Sequence, residues 1–592
     1  MCQLEFITAD FVSPFYPATR DTPPAMGNSL SSSPSSKTRR VVQKRSAGTS
    51  RLAKSCCASD DQFQSGGSVD SEETYCNEKH APPNLKVSDT SCLPEKLQND
   101  NTVAYKAFLN AFPEYALTGI LDTLRRSDFS RLDRIGETYV DYMGGSVYPE
   151  SLVRDHTEFL NNSVLGNTHS VNNSSRLSST CAHDARSAVL SFFDAPPEYT
   201  VIFTANATGA LKLVGESYPF MEGKSAYVLG ADSHNSVHGI REYAARLGAH
   251  VRYIDSTENG GLVEPTAKAV LLHNRPDPGS DVPCLFALTG QSNISNSKNS
   301  LSMAKLASSL GYHVLLDAAA LAPTSSISLS ENPEIDAMAV SFYKMFGFPT
   351  GVGALVVKKS FLAMLKRPWF AGGNVDVVQV PGTLVTRSSE IYEQFEDGTI
   401  NYLNLSTIKS GLQFLSVYMP FLPLRLSSLM IFLTSSLSRM RHEGTGTPVV
   451  RILSRVPSRR LKSVGEQSDT GSVVSLIFLS PDGVMIPNSF IEHAATTQNI
   501  SLRTGCMCNP GGAAALLGVQ DDMKHLYPGV TLRDFEQIVG RELGVIRISL
   551  GLASSFDDVW KVIRFAATIA DQTSREVLWQ RWITDQNVGR AF

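Results

Sequence analysis

Between residues 199 and 357 the sequence alternates short apolar runs with helical patterns, and this constrains the fold more than any other feature. The runs are YTVIFTA (199–205), SAYVLGAD (225–232), HVRYID (250–255), PCLFALTG (283–290), HVLLDAAA (313–320), AMAVSFY (337–343) and GALVV (353–357). Each is rich in β-branched or aromatic residues and short enough for a strand. Between them lie ATGALKLVGESY, SVHGIREYAARLG and SLSMAKLASSLG, with apolar residues at helical spacing. Strands alternating with helices predict an α/β domain, its sheet largely parallel and covered by helices on both faces. Such sheets bind ligands at the carboxyl ends of their strands. The residues to weigh for chemistry are therefore those just past each run.

The flanks of this region set the domain expectations. Residues 1–101 are rich in Ser, Pro, Asn and Asp with few periodic apolar positions, and read as a disordered tail. A basic run inside it, from Lys37 to Lys54, reads as a solvated linker. Helical spacing begins near residue 102, so residues 102–400 are expected to form the large domain. Beyond about 400 come longer helices, a strand at VVSLIFL and a final αβ unit, expected as a smaller C-terminal α+β domain over 401–592. The stretch LQFLSVYMPFLPLRLSSLMIFL is interrupted by Pro420, Pro423 and Arg425, which fits buried helices better than a membrane span. The polar stretch that begins at His442 and runs to Ser472 reads as a mobile insertion. A net charge of −4 gives no reason to expect nucleic acid or a membrane surface as partner. The absence of a secretory signal and the scattered cysteines lead us to expect a cytoplasmic protein.

The strand-end residues form a set. After the first run, NATG opens a helix whose N–H groups, with the Thr208 hydroxyl, make an anion cradle. His234 follows the second run. Asp317 ends the fifth, where a carboxylate needs hydration or a cationic partner. Lys344 follows the sixth, with Ser341 ahead of it; an amine desolvated there becomes a nucleophile toward carbonyls. Each residue alone has an ordinary structural explanation. Together they offer an anion cradle, an imidazole, an acid and a reactive amine, which is what pyridoxal phosphate requires.

Longer motifs carry a resemblance. AFPEYALTGILDTLRRSDFSRL, LGNTHSVNNSS, FTANATGALKLVGESYPF, HNSVHGIREYA, SFYKMFGFPTGVGALVV, FEDGTINYLNL, LRTGCMCNPGG and GVIRISLG are spread over roughly residues 105–570. They resemble the class V aminotransferase-fold cysteine desulfurases, and most of all the N-terminal desulfurase part of the eukaryotic molybdenum cofactor sulfurases. The resemblance implies fold type I of the pyridoxal phosphate enzymes and a homodimer. It makes Lys344 the lysine bound to the cofactor, Asp317 the partner of the pyridine nitrogen and His234 the imidazole stacked on the ring. Thr208 and Ser341 resemble phosphate ligands, and Thr399 resembles a phosphate contact made across a dimer interface. Asn293 corresponds to an asparagine near a cofactor oxygen and the substrate carboxylate, and Arg547 to the arginine that grips that carboxylate. Cys508 corresponds to the sulfur acceptor, to which a substrate L-cysteine gives its sulfur while alanine is released. Arg503 is expected to support the Cys508 thiolate by its charge. Cys506 is expected to be tolerated rather than used.

Two positions depart from many class V enzymes: Ala320 stands where they have a glutamine, and Tyr343 where they have a histidine. The molybdenum cofactor sulfurase branch has the same look. The chain stops before the C-terminal cofactor-binding domain of that branch, so a separate sulfur acceptor is expected, either the molybdenum cofactor or a sulfur-containing metabolite. Rival readings are a pyridoxal phosphate lyase, epimerase or aminotransferase with Cys508 unused, and an inactive scaffold of the same fold. A metal site at Cys506 and Cys508 would need two more ligands in close spacing, and none is expected.

Overall fold

The structure, a computed structural model, describes residues 101–589. The expected disordered tail, with its basic run, lies outside the described residues apart from Asn101, where a helix begins.

All seven apolar runs are strands of one sheet. They are β1 (Tyr199–Thr204), β2 (Ala226–Gly230), β3 (His250–Ile254), β4 (Cys284–Thr289), β5 (Tyr312–Asp317), β6 (Ala337–Ser341) and β7 (Gly353–Lys358). Across the sheet the order is β1-β7-β6-β5-β4-β2-β3. Pairings from β6 through β3 are parallel, and β7 runs antiparallel to both its neighbours. Alternate residues of one strand enter two separate apolar clusters. Phe286 and Leu288 pack on one face, Leu285 and Ala287 on the other. That division is the signature of a sheet covered on both sides, and it explains why the central runs are apolar throughout. The edge strand β3 exposes His250, Arg252 and Tyr253, a polar border that discourages further pairing.

Helix α1 (Asn173–Phe192) packs against β1, and α2 (Ala207–Ser217) follows β1 directly. Asn206 caps α2: its side-chain oxygen accepts from Gly209 N–H at 3.0 Å, as an N-cap asparagine should. A Cβ on Gly353, the first residue of β7, would lie 2.5 Å from Asn206 Cα. Only glycine lets this strand approach the start of α2 so closely.

The apolar stretch after residue 400 folds as α3 (Leu405–Tyr418) and α4 (Leu422–Arg439). Among the described residues no single helix is long and apolar enough to cross a membrane; α3 and α4 pass such a test only together, bent by 65°. Leu422, Leu424, Leu429 and Leu433 of α4 are all fully buried within the protein. A second sheet holds β8 (Val450–Ile452), β9 (Val473–Phe478), β10 (Arg503–Gly505) and β11 (Val545–Ser549). Its order is β8-β9-β11-β10, antiparallel throughout.

The stretch 442–472, expected to be a mobile insertion, is instead fastened into the molecule. It supplies β8. Arg455 N–H donates to the Ser295 carbonyl at 2.9 Å, and Asn296 Nδ2 donates to the Arg455 carbonyl at 2.9 Å. Arg460 pairs with the buried Glu114, and Leu461 is wholly buried. Part of its polarity is spent on main-chain groups and on two ion pairs, Arg460–Glu114 and Arg459–Glu466, while Glu443 and Lys462 face solvent.

Candidate active site

The carboxyl ends of β1, β2, β4, β5 and β6 converge on a cavity of about 90 Å³. Thr208, His234, Asn293, Asp317, Ser341 and Lys344 all line it, together with Gln291, Ala320 and Tyr343. Six residues singled out in the sequence, up to 136 positions apart, are thus brought to one place because each sits at the end or just past the end of a strand of the same sheet.

Around α2 the cradle is built as its sequence implies. Ser341 Oγ accepts from Ala207 N–H at 2.8 Å, and Thr208 Oγ1 shares a hydrogen bond with Ser236 Oγ at 2.8 Å. Asp317, 7% exposed, accepts from Ala319 N–H at 3.1 Å on one oxygen. His234 has its Nδ1 fixed by Ser236, accepting from the backbone N–H at 3.1 Å. Burial pushes the His234 imidazole below its ordinary pKa, with Asp317 pulling it back up and Lys344 and Arg503 adding to the depression. The ring therefore favours the neutral form, suited to lying against an aromatic face rather than repelling a cationic one.

Lys344 keeps part of its surface open, but its amine is withdrawn among the strand ends. Burial depresses its pKa; Asp317 raises it, Arg547 and Arg503 lower it, and Cys508 raises it. The net direction is downward, toward a free amine able to attack a carbonyl. The backbone of Lys344 is held by Ser146, whose Oγ donates to its carbonyl at 2.6 Å.

The second sheet brings in the other candidates. Arg547 on β11 is 1% exposed and pairs with Asp141 at 2.5 Å, while its Nη1 donates to the Asn293 carbonyl at 3.2 Å. Burial lowers its pKa, and Asp141 restores part of the loss. Arg503 lies opposite Arg547 in the β10–β11 register and is exposed. Cys508 follows β10 in a tight turn, with Met507 and Cys508 at φ of 55° and 54°. This turn is tied to the first sheet at both residues. Asn293 Nδ2 donates to the Met507 carbonyl at 2.7 Å, and Asn235 N–H donates to the Cys508 carbonyl at 2.7 Å. The Cys508 side chain remains exposed. Cys506 is partly buried, and that burial raises its thiol pKa, which disfavours its thiolate.

Thr399 is not brought to this cavity. It is exposed, accepts from Asn167 Nδ2 at 3.1 Å and borders a different cavity of about 360 Å³ beside Lys212, Gly351 and Asn401. Reading strand ends also missed several residues that shape the site. Asp232 is buried and accepts from Ser292 Oγ at 2.7 Å, Asn509 Nδ2 at 2.7 Å and Gly261 N–H at 2.8 Å. It thereby holds the turn after Cys508 against β2. Asp141, the counter-ion of Arg547, and Gln291 were missed as well. Asn206 carried a legible signal, an asparagine directly before a helical pattern; Asp232 and Gln291 stand at or just past the ends of apolar runs and carried the strand-end signal, and Asp141 carried none. Among the described residues no group of three or more His, Cys, Asp or Glu could hold a metal ion.

The donor set fits pyridoxal phosphate: a carboxylate with one oxygen unengaged by the backbone, an amine driven toward its free form, and a helix start with two hydroxyls. The comparisons agree. An aminotransferase class-V model matches residues 138–421. Molybdenum cofactor sulfurase of Bos taurus is 34% identical over 468 residues, covering 76% of this chain and 51% of that protein. The Arabidopsis thaliana protein of the same name is 32% identical over 500 residues, covering 78% of this chain and 60% of that one. The chain thus spans about half to three-fifths of the length of these relatives. Among solved structures, apo cysteine desulfurase from Thermococcus onnurineus NA1 superposes with a TM-score of 0.58 at 20% identity, over 75% of this chain and 96% of that one. A C-DES mutant with glycine covalently linked to its PLP cofactor gives 0.54 at 19% identity, over 75% of this chain and 98% of that one. This chain therefore carries an aminotransferase class-V domain with the type I fold of pyridoxal phosphate enzymes, and pyridoxal phosphate is the cofactor its pocket fits.

Proposed function

We propose that the chain is a pyridoxal phosphate-dependent L-cysteine desulfurase that forms a persulfide on Cys508, releases alanine and passes the sulfur to a separate acceptor. The observation that carries this reading is the clasp between the two sheets. The turn bearing Cys508 hydrogen-bonds to Asn235, next to His234, and to Asn293, so an exposed thiol stands at the rim of the cavity that holds Lys344. The curated relatives named molybdenum cofactor sulfurase and the neighbours named cysteine desulfurase support it.

The residue roles belong to the same proposal. Lys344 would hold the cofactor covalently, Asp317 its ring nitrogen, and the start of α2 with Thr208 and Ser341 its phosphate, while His234 lies against the ring. When bound, pyridoxal phosphate supplies an electron sink that weakens bonds around the substrate's α-carbon. Arg547 orients the substrate carboxylate, with Asn293 beside it. When not holding the cofactor, the Lys344 amine would be placed to take and return the α-proton. Cys508 Sγ bonds to the substrate sulfur as the carbon–sulfur bond breaks, and the remaining three-carbon amino acid leaves as alanine. Arg503, on the strand that leads into the Cys508 turn, adds positive charge near the site. Thr399, remote from this cavity, is assigned to the phosphate of a second copy in a homodimer. The acceptor is the molybdenum cofactor on another protein or a small sulfur-containing metabolite, and the setting is the cytoplasm.

The test compares wild type, Lys344→Ala and Cys508→Ser after reconstitution with pyridoxal phosphate. Wild type should show a visible absorbance band, release alanine from L-cysteine and gain one sulfur on Cys508 by mass. Lys344→Ala should lose the band. Cys508→Ser should keep the band while alanine release falls to background; full release from that variant would sink the persulfide mechanism.

A further inference from the structure

Gln291 lines the same cavity as Lys344 and Asp317, is 2% exposed, and has no hydrogen-bond partner on either atom of its side-chain amide. Leaving a buried amide unpaired costs about 1–3 kcal/mol, so one kept at a ligand cavity points to a group that completes it. The position is built rather than loose. A Cβ on Gly471 would stand 2.3 Å from Gln291 Nε2, so a glycine is what leaves room for the amide. Asn293, two residues on, is differently engaged. Its Nδ2 donates to Met507 at 2.7 Å, its Oδ1 accepts from Asn509 at 3.0 Å, and its carbonyl accepts from Arg547 at 3.2 Å.

The order of the strand ends says which group Gln291 meets. Ser341 ends β6 and bonds to the start of α2, where the phosphate cradle lies; Asp317 ends β5; Gln291 follows β4, the next strand over. In pyridoxal phosphate the phosphate arm and the phenolic oxygen stand on ring carbons either side of the carbon bearing the aldehyde. They occupy opposite edges of the ring. With the phosphate toward β6 and the ring nitrogen at Asp317, the edge bearing the oxygen faces the end of β4.

Resting on the reading of this cavity as a pyridoxal phosphate site, we propose that the Gln291 side-chain amide donates a hydrogen bond to the phenolic oxygen of the cofactor. The amide reaches from the β4 end, whereas many class V enzymes carry a glutamine at the position of Ala320, which lines the same cavity after β5. Asn293 is then left to hold the Cys508 turn.

The test uses the full chain reconstituted with pyridoxal phosphate and reads cofactor affinity and the pH midpoint of the visible band, neither of which needs turnover. Gln291→Met keeps the length of the side chain and removes the donor. Its Kd for pyridoxal phosphate should rise about tenfold or more, as expected for a lost hydrogen bond to a charged group. A donor to an anionic oxygen favours its deprotonated form, so losing it should move the midpoint upward by about one pH unit. Gln291→Glu, of the same shape but accepting only, should move the midpoint the same way and at least as far. Adding Ala320→Gln to Gln291→Met should recover part of both losses. Wild-type affinity and midpoint in Gln291→Met overturn the proposal; should that variant not fold, the same result in Gln291→Glu overturns it. A wild type that shows no visible band with pyridoxal phosphate would remove the reading of the whole cavity, whereas a normal wild-type band with unaltered variants removes only the role of Gln291.

Discussion

An amine attacks a carbonyl only in its unprotonated form, so the charges around Lys344 decide how readily the pocket is loaded. Burial and the positive charges of Arg547 and Arg503 lower its pKa, against Asp317 and Cys508. Of these, Arg503 is exposed and the simplest to alter without disturbing packing. Its charge disfavours the protonated amine, so Arg503→Gln should raise the pKa of Lys344. Capture of pyridoxal phosphate by the apo protein, followed by the growth of the visible band, should rise with pH toward a midpoint below that of an ordinary lysine. In Arg503→Gln that midpoint should move up, and the gap between the two proteins should narrow at high ionic strength because the charge is exposed to solvent. A midpoint unchanged by the substitution would mean that Arg503 does not reach Lys344 through the field.

At the scale of elements, the turn from Cys506 to Asn509 matters most, because it leaves the second sheet at β10 and is hydrogen-bonded to residues past the strand ends of the first. Asn509 is fully buried; its side-chain oxygen caps α5 (Pro510–Leu517) by accepting from Gly512 N–H at 2.9 Å, and its Nδ2 donates to Asp232. Asn509→Ala should cost about 1–2 kcal/mol as a lost cap, plus the penalty of a carboxylate left short of a donor. We expect lower alanine release with the visible band retained, since no atom of Asn509 lines the cavity; loss of the band would place Asn509 in the cofactor site instead. The sequence made the strands of the first sheet legible because burial on both faces leaves unbroken apolar runs. It made Lys344, Asp317 and Ser341 legible because strand ends are where such sheets place their chemistry. Asp141 was not legible, and Asp232 and Gln291, though they stand at strand ends, showed nothing in the sequence of what they meet. Asp141 meets Arg547, 406 residues away, and Asp232 meets Asn509, 277 away, so only the tertiary fold creates their partners. The stretch 442–472 was misread for a related reason: some of its polar side chains, His442 and Ser472 among them, bond distant backbone groups, and polarity alone cannot separate that from contact with water.

Over the whole molecule, the described chain is closed by contacts between its two ends. Arg125, on the helix Gly119–Asp128, donates to the Ala553 carbonyl at 2.6 Å and pairs with Asp558 at 2.6 Å. Asp558 belongs to the first turn of α6 (Phe556–Ala570), is 1% exposed and also serves the capping box of that helix with Ser555. Burial raises the Asp558 pKa and Arg125 lowers it again. Arg125→Ala strands the carboxylate in the interior, for which about 3–5 kcal/mol is the ordinary loss. Arg154→Ala, breaking the exposed pair with Asp155, should cost under about 1 kcal/mol. The penalty at Arg125 should also depend on pH. Without the guanidinium the folded pKa of Asp558 climbs further above its unfolded value, so the folded state holds a proton that the unfolded state releases. Stability of the variant relative to wild type should then fall as pH rises from about 4, and be nearest to wild type in acid. Denaturant midpoints of the two proteins across pH 4–8 would check this. Arg125→Met combined with Asp558→Leu, which removes both charges, should recover most of the loss and flatten its pH dependence; a double variant as weak as Arg125→Ala would show that the pair matters for its shape and not for its charge.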